Sequence, residues 1–141
     1  MKGKSRRPGE IFLSHATPDR KSADRIAAVL RRHGIAVWYS RTHLRGAEEW
    51  QQKIGTALRR CDWFLVVLSP AAVNSMWVSR ELAYALAQRK YVGKIVPVLL
   101  HKCDHETLSW TLTTLQMIGF TRGFTKGCRD LLRIWGLSYQ S

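Results

Sequence analysis

Asp62-Trp63-Phe64-Leu65-Val66-Val67-Leu68-Ser69-Pro70 is the stretch on which the fold turns. Six apolar residues run without a break between an acid and a serine–proline pair. The run is far too short to cross a bilayer, which takes roughly 20 residues. It lacks the polar alternation of a strand with one wet face. It reads as a strand over 62–69 buried on both faces, central in a parallel sheet.

Strand and helix patterns alternate on either side of it. A short apolar strand covers 10–14. Thr17-Pro18-Asp19 then opens a helix, with Thr17 able to cap, Pro18 fitting the first turn and Asp19 suiting the positive end of the dipole. Ala23, Ile26, Ala27 and Leu30 recur at helical spacing until Gly34 supplies the stop. A second strand is expected over 35–39. A polar loop over 40–47 leads to a helix with Trp50, Ile54, Ala57 and Leu58 on one stripe. Beyond the central strand, 70–74 reads as a loop, and Asn74 or Ser75 caps a helix running to about residue 90. Further strands are expected over 94–100 and, more weakly, 116–120. Between them lies a loop, 101–114, with one or two short helical turns, and a helix over 128–135 closes the chain. Five such alternations define an α/β class: a doubly wound, flavodoxin-like, five-stranded parallel sheet with helices on both faces.

Length and composition bound the rest. The 141 residues suit one domain, expected over 10–137, between a basic flexible tail at 1–9 and a short tail at 138–141. A hydrophobic fraction of 45% excludes a disordered chain. No repeat, low-complexity tract or Gly/Pro/Ser-rich linker divides it. No hydrophobic segment of signal-peptide length follows the basic start. Cys61, Cys103 and Cys128 are odd in number and far apart, which fits packed thiols in a reducing compartment. A cytoplasmic location without membrane attachment is the expectation. The net charge is +13, and setting aside Lys2, Lys4, Arg6 and Arg7 leaves +9 on the body. Such a surface attracts anions. The cations are scattered over every expected helix with no interleaved stacking aromatics, so a nucleic-acid partner is not expected.

Three constellations could carry chemistry. Trp77 and Glu81 are four apart on one helix and project from one side, continued by Tyr84 and Gln88. Val78, Leu82 and Leu86 are placed to pack on the sheet. Glu81 is thus an acid beside an indole near the carboxyl ends of the strands, the edge at which open α/β sheets bind ligands. The bland alternative is a solvated Glu paired with Arg80 or Arg89. Ser14 and His15 are adjacent, but consecutive strand residues face opposite sides, so they do not form a nucleophile and its base. His101, Cys103, Asp104 and His105 are clustered, yet zinc sites need a second distant ligand pair and Cys128 stands alone. No metal is expected. Neither Gly-x-Gly-x-x-Gly nor a P-loop occurs, which speaks against redox use of a dinucleotide and against NTP hydrolysis.

Four boxes, in order, resemble those of TIR domains. They are Ile11-Phe12-Leu13-Ser14-His15-Ala16 with Asp19; Val37-Trp38-Tyr39 followed by Leu44-Arg45-Gly46; Leu65-Val66-Val67-Leu68-Ser69-Pro70; and Ser75-Met76-Trp77 with Glu81-Leu82. The resemblance spans about 10–135 and is closest to the NAD-consuming, bacterial type. It implies an NAD glycohydrolase or cyclase with Glu81 as the catalytic carboxylate, releasing nicotinamide and leaving ADP-ribose or its cyclic form. It further implies that Phe12, Ser14, His15, Ser40, Leu44, Ser69 and Trp77 bind the substrate. NAD would be substrate, and no cofactor is implied. Departing nicotinamide is already a cationic leaving group, so one carboxylate facing the oxocarbenium-like ribose can suffice. Arg41, His43, Arg45 and Gly46 fall in the family's assembly loop, which implies self-association through TIR–TIR contacts. The family's role in bacterial antiviral defence implies immune signalling, with room for a separate sensor protein. The alternative within the family is a non-enzymatic TIR–TIR adaptor. One departure stands out: the family commonly has Asp just after the second strand, and this chain has Ser40.

Overall fold

A computed structural model describes residues 7–39 and 47–141, with side chains from residue 51 onward in the second segment. The expectations for Ser40, Arg41, His43, Leu44, Arg45 and Gly46 lie outside the described residues, as does the side chain of Trp50.

Five strands form one all-parallel sheet in the order β2-β1-β3-β4-β5. They are β1 (Glu10–Ser14), β2 (Ala36–Trp38), β3 (Trp63–Leu68), β4 (Ile95–Leu99) and β5 (Ile118–Gly119). The doubly wound reading holds, and β3 is central and buried along its whole length. Alternation along the strands sorts side chains into two cores. Ile11, Leu13, Trp63, Leu65 and Val67 face the layer of α1 (Arg20–Arg32) and α5 (Phe124–Arg133). Phe12, Phe64, Val66 and Leu68 face α2 (Ala47–Arg60) and α4 (Met76–Ala87). The order reverses between β1 and β3, which opens a crevice at their carboxyl ends.

Local chemistry explains most boundaries. Gly34, with φ of +84°, ends α1 in a Schellman turn: its N–H donates to Arg31 O, and Ile35 N–H donates to Leu30 O. Ser75 is the cap of α4, its Oγ accepting from Val78 N–H at 3.2 Å. The stretch 101–114 carries two 3-10 turns, His105–Thr107 and Trp110–Thr114. At the start of β1, Asp62 accepts from the N–H groups of Gly9 and Glu10 at 3.0 Å, and Arg60 pairs with Glu10 at 2.7 Å.

The structure corrects several details. Residues 70–74 are not a plain loop: Pro70–Val73 forms a short helix, α3, because Ser69 Oγ caps it by accepting from Ala72 N–H at 3.0 Å. Thr17 does not occupy the cap position. It is the first residue of a 3-10 turn, Thr17–Asp19, whose cap position is Ala16. Helix α4 stops at Ala87, and Arg89–Tyr91 is a separate 3-10 turn. Helix α5 begins at Phe124, four residues earlier than expected, since Gly127 serves a close approach there rather than a break. A Cβ at Gly127 would lie 2.5 Å from the Phe120 ring. No helix among the described residues is long and apolar enough to cross a membrane.

Candidate active site

Strand parity fixes the first contact. Phe12 and Ser14 share a face, the one that α4 covers. Ser14 is the last residue of β1, and its hydroxyl donates to Glu81 Oε1 at 2.6 Å. Both are buried: Ser14 is 1% exposed and Glu81 7%. Glu81 is therefore not the solvated helix residue that its spacing also allows. Its partner is a strand-end hydroxyl, and neither Arg80 nor Arg89 forms an ion pair with it.

Burial sets the electrostatics of Glu81. Desolvation pushes its carboxyl up to about 7, and the Ser14 hydrogen bond, which favours the charged form, pulls in the opposite direction. The sixth residue of α4 lies beyond the first turn, where the helix dipole acts. Glu81 can thus exist in both protonation states near neutral pH, the condition in which a carboxyl is useful in a reaction.

Trp77, Glu81 and Tyr84 line a cleft of about 200 Å3, closed on the other side by Ile54, Gly55 and Leu58 of α2. The side of α4 marked out by sequence spacing is the side facing this cleft. Val78 and Leu82 pack beneath it on the sheet, while Leu86 is half-buried and Gln88 follows the helix end. Phe12 forms the floor of the same core, stacked on Phe64 at 5.5 Å between ring centroids and tilted against Trp38 at 5.2 Å. Its 1% exposure makes it a support rather than a surface. His15 points elsewhere, its ring edge-on to Tyr39 at 5.6 Å. Tyr39 in turn donates to Asp24.

A second buried hydroxyl–carboxylate pair lies at the same sheet edge. Ser69, just past β3, donates to Asp19, and both are buried. Sequence reading assigned Asp19 to a helix dipole. Its burial was hidden because the partner is fifty residues away. In the sequence a serine closes β1, at 14, and another directly follows β3, at 69.

The described residues bring together no group of three His, Cys, Asp or Glu able to hold a metal. Cys61 and Cys128 are buried, and desolvation pushes the thiols up to about 12 and about 11. They are inert packing groups.

A doubly wound parallel sheet with a buried glutamate at the carboxyl edge, one helical turn from a tryptophan and beside a cleft, defines a class of α/β domains with a ligand crevice at the β1/β3 switch point. Within that class the chain belongs to the TIR-domain family, whose sequence model matches residues 11–132. It is 30% identical over 94 residues to the 2′ cyclic ADP-D-ribose synthase BtTIR of Bacteroides thetaiotaomicron, covering 66% of this chain and 33% of that protein. It is 31% identical over 94 residues to the 2′ cyclic ADP-D-ribose synthase AbTIR of Acinetobacter baumannii, covering 66% and 35%. The chain thus spans about a third of the length of these curated relatives. Among solved structures, the TIR domain of a Toll-related receptor from Hydra magnipapillata superimposes with a TM-score of 0.66. That match is 17% identical and covers 89% of this chain and 90% of the other, a likeness of fold.

Proposed function

We propose that this domain cleaves the nicotinamide–ribose bond of NAD, with Glu81 as the carboxylate facing the ribosyl centre. One observation carries the reading: a glutamate, buried at the carboxyl edge, hydrogen-bonded among the described residues by Ser14 and opening onto a cleft beside Trp77. Burying an acid costs stability, and a chain gains from that cost where the acid acts on a substrate. An adaptor that works by surface contact gives no reason to place it there. The names of the two relatives, both synthases of a cyclic ADP-ribose, support the same chemistry.

The step needs little from the protein. As the glycosidic bond breaks, its electron pair leaves with nicotinamide, which becomes neutral. Positive charge develops on the ribose, and the desolvated Glu81 carboxylate stabilises it. Water or a hydroxyl of the same molecule then captures the ribosyl carbon and gives up its proton to the Glu81 carboxylate or to solvent, leaving ADP-ribose or its cyclic form. Ser14 orients the carboxylate and keeps part of it ionised near neutrality. Self-association completes this reading, as does a place in immune signalling within the cytoplasm.

The test is nicotinamide release from NAD by the wild type and by Glu81→Gln, with products identified by mass. The variant should lose on the order of a hundredfold or more in turnover, about 3 kcal/mol of transition-state stabilisation. A folded Glu81→Gln that matches an active wild type removes Glu81 from the mechanism. A wild type that releases no nicotinamide at any concentration and does not bind NAD returns the domain to the adaptor reading.

A further inference from the structure

The Glu81 cleft is too small for a whole dinucleotide. Its volume of about 200 Å3 falls below the roughly 300–1,000 Å3 of sites that enclose a drug-sized ligand. If NAD places its scissile bond at Glu81, as proposed above, the ADP half must continue outside. Among the described residues, Gln51 and Gly55 line the cleft on its α2 side. Both residues also line a neighbouring groove of about 620 Å3 that runs along α2 to Arg59.

Gly55 lies inside α2, where glycine costs about 1 kcal/mol relative to alanine. No tight packing demands it: a Cβ there would meet only the Arg59 guanidinium, at 3.4 Å. The missing side chain leaves a notch between cleft and groove, and the Arg59 guanidinium folds back over that notch. Across the cleft, Arg80 of α4 holds its guanidinium 5.7 Å from the Trp77 ring. Both arginines are exposed, and neither has a carboxylate partner among the described residues. One exposed guanidinium on each helix, neither with a carboxylate partner among the described residues, therefore lies along this path, Arg80 in the lining of the cleft and Arg59 in that of the groove. Guanidinium matches phosphate oxygens in planar, bidentate fashion.

We infer that Arg59 and Arg80 bind the pyrophosphate of the dinucleotide as it leaves the Glu81 cleft through the Gly55 notch. This rests on the NAD reading and names residues that hold the part of the substrate that does not react. They act on binding, so their loss raises KM and leaves kcat nearly unchanged.

Arg59→Gln, Arg80→Gln and the double variant should each be assayed for NAD turnover and, by calorimetry, for binding of ADP-ribose and of adenosine. Each single change should raise KM about tenfold with kcat within about twofold, the scale of one charge-assisted contact. Arg80→Lys should recover part of the loss. ADP-ribose affinity should fall in parallel with added salt, while adenosine, which lacks phosphate, should bind the variants and the wild type alike. An unchanged KM in an active double variant overturns the assignment, as does an equal loss for adenosine. If the wild type binds ADP-ribose through these arginines yet releases no nicotinamide, the phosphate site stands and the catalytic reading falls. If the wild type neither turns over NAD nor binds ADP-ribose, both fall.

Discussion

Glu81 has Ser14 as its hydrogen-bond partner and lies 7% exposed, so ionising it works against the fold. A carboxyl raised from 4.5 to about 7 contributes stability that is fully present below pH 4.5. That contribution is lost as pH rises, and is gone above about 7. The ionised form costs on the order of 3 kcal/mol, so Glu81→Gln, although damaging to turnover, should melt several degrees higher than wild type at pH 8. The gap should close by pH 4.5, and thermal melts at the two pH values check it. A variant that is no more stable at pH 8 would mean that water reaches the carboxylate. The same titration shapes activity. Turnover should rise about tenfold per pH unit below 7 and level off above it, since in the proposed mechanism it is the charged form that acts on the ribose. Ser14→Ala removes the hydrogen bond that favours that form and moves the inflection upward. Its rate should fall by roughly fivefold to tenfold at pH 7 and approach wild type at pH 9. An equal loss at both values would place Ser14 in substrate binding instead.

The serines at the ends of strands and starts of helices carry unequal loads. Ser75 only caps α4 and is half-buried. Ser69 caps α3 and also donates to the buried Asp19. Ser75→Ala should therefore cost about 1 kcal/mol and Ser69→Ala about 2–3 kcal/mol, because the second also strips a buried carboxylate of a donor. Urea unfolding of the two variants measures the difference, and equal midpoints would mean that water replaces Ser69 at Asp19. These elements also show what the sequence made legible. The apolar run at 63–68 and the Gly34 stop marked β3 and the end of α1 through local chemistry alone. Helix α3 was hidden because Pro70-Ala71-Ala72-Val73 is a single turn, too short for periodicity to register. The onset of α5 was hidden because Gly127 is placed by the Phe120 ring, a tertiary contact. At the site, the spacing of Trp77, Glu81 and Tyr84 picked out the side of α4 that lines the cleft. Alternation along β1 puts Ser14 on the face of Phe12, but that α4 covers this face and brings Glu81 to Ser14 is a tertiary fact that the sequence does not announce. The Asp19–Ser69 pair and the Arg59–Arg80 lip join segments far apart in sequence, and no local pattern announces them.

At the scale of the molecule, one protomer offers a cleft that is small and open, on a surface bearing +13. In the proposed mechanism an open cleft leaves water beside the ribose, which weakens the stabilisation that the carboxylate can give to the ribosyl charge. A second protomer seated over the cleft would exclude that water. The resemblance of 40–46 to the family's assembly loop points to the same requirement. Like charge opposes this meeting, because two protomers each carrying +13 repel at long range. Specific activity should therefore rise with protein concentration, and moderate salt should lower the concentration needed by screening the repulsion over about 10 Å. Salt should act in the reverse sense on the proposed phosphate contacts of Arg59 and Arg80, so its net effect should change sign. It should activate when protein is dilute and inhibit when assembly is complete. Nicotinamide release measured over a hundredfold range of protein, at two salt concentrations and beside light scattering, separates the two effects. A specific activity that stays flat while scattering reports only monomer would show that a single protomer holds the whole active site.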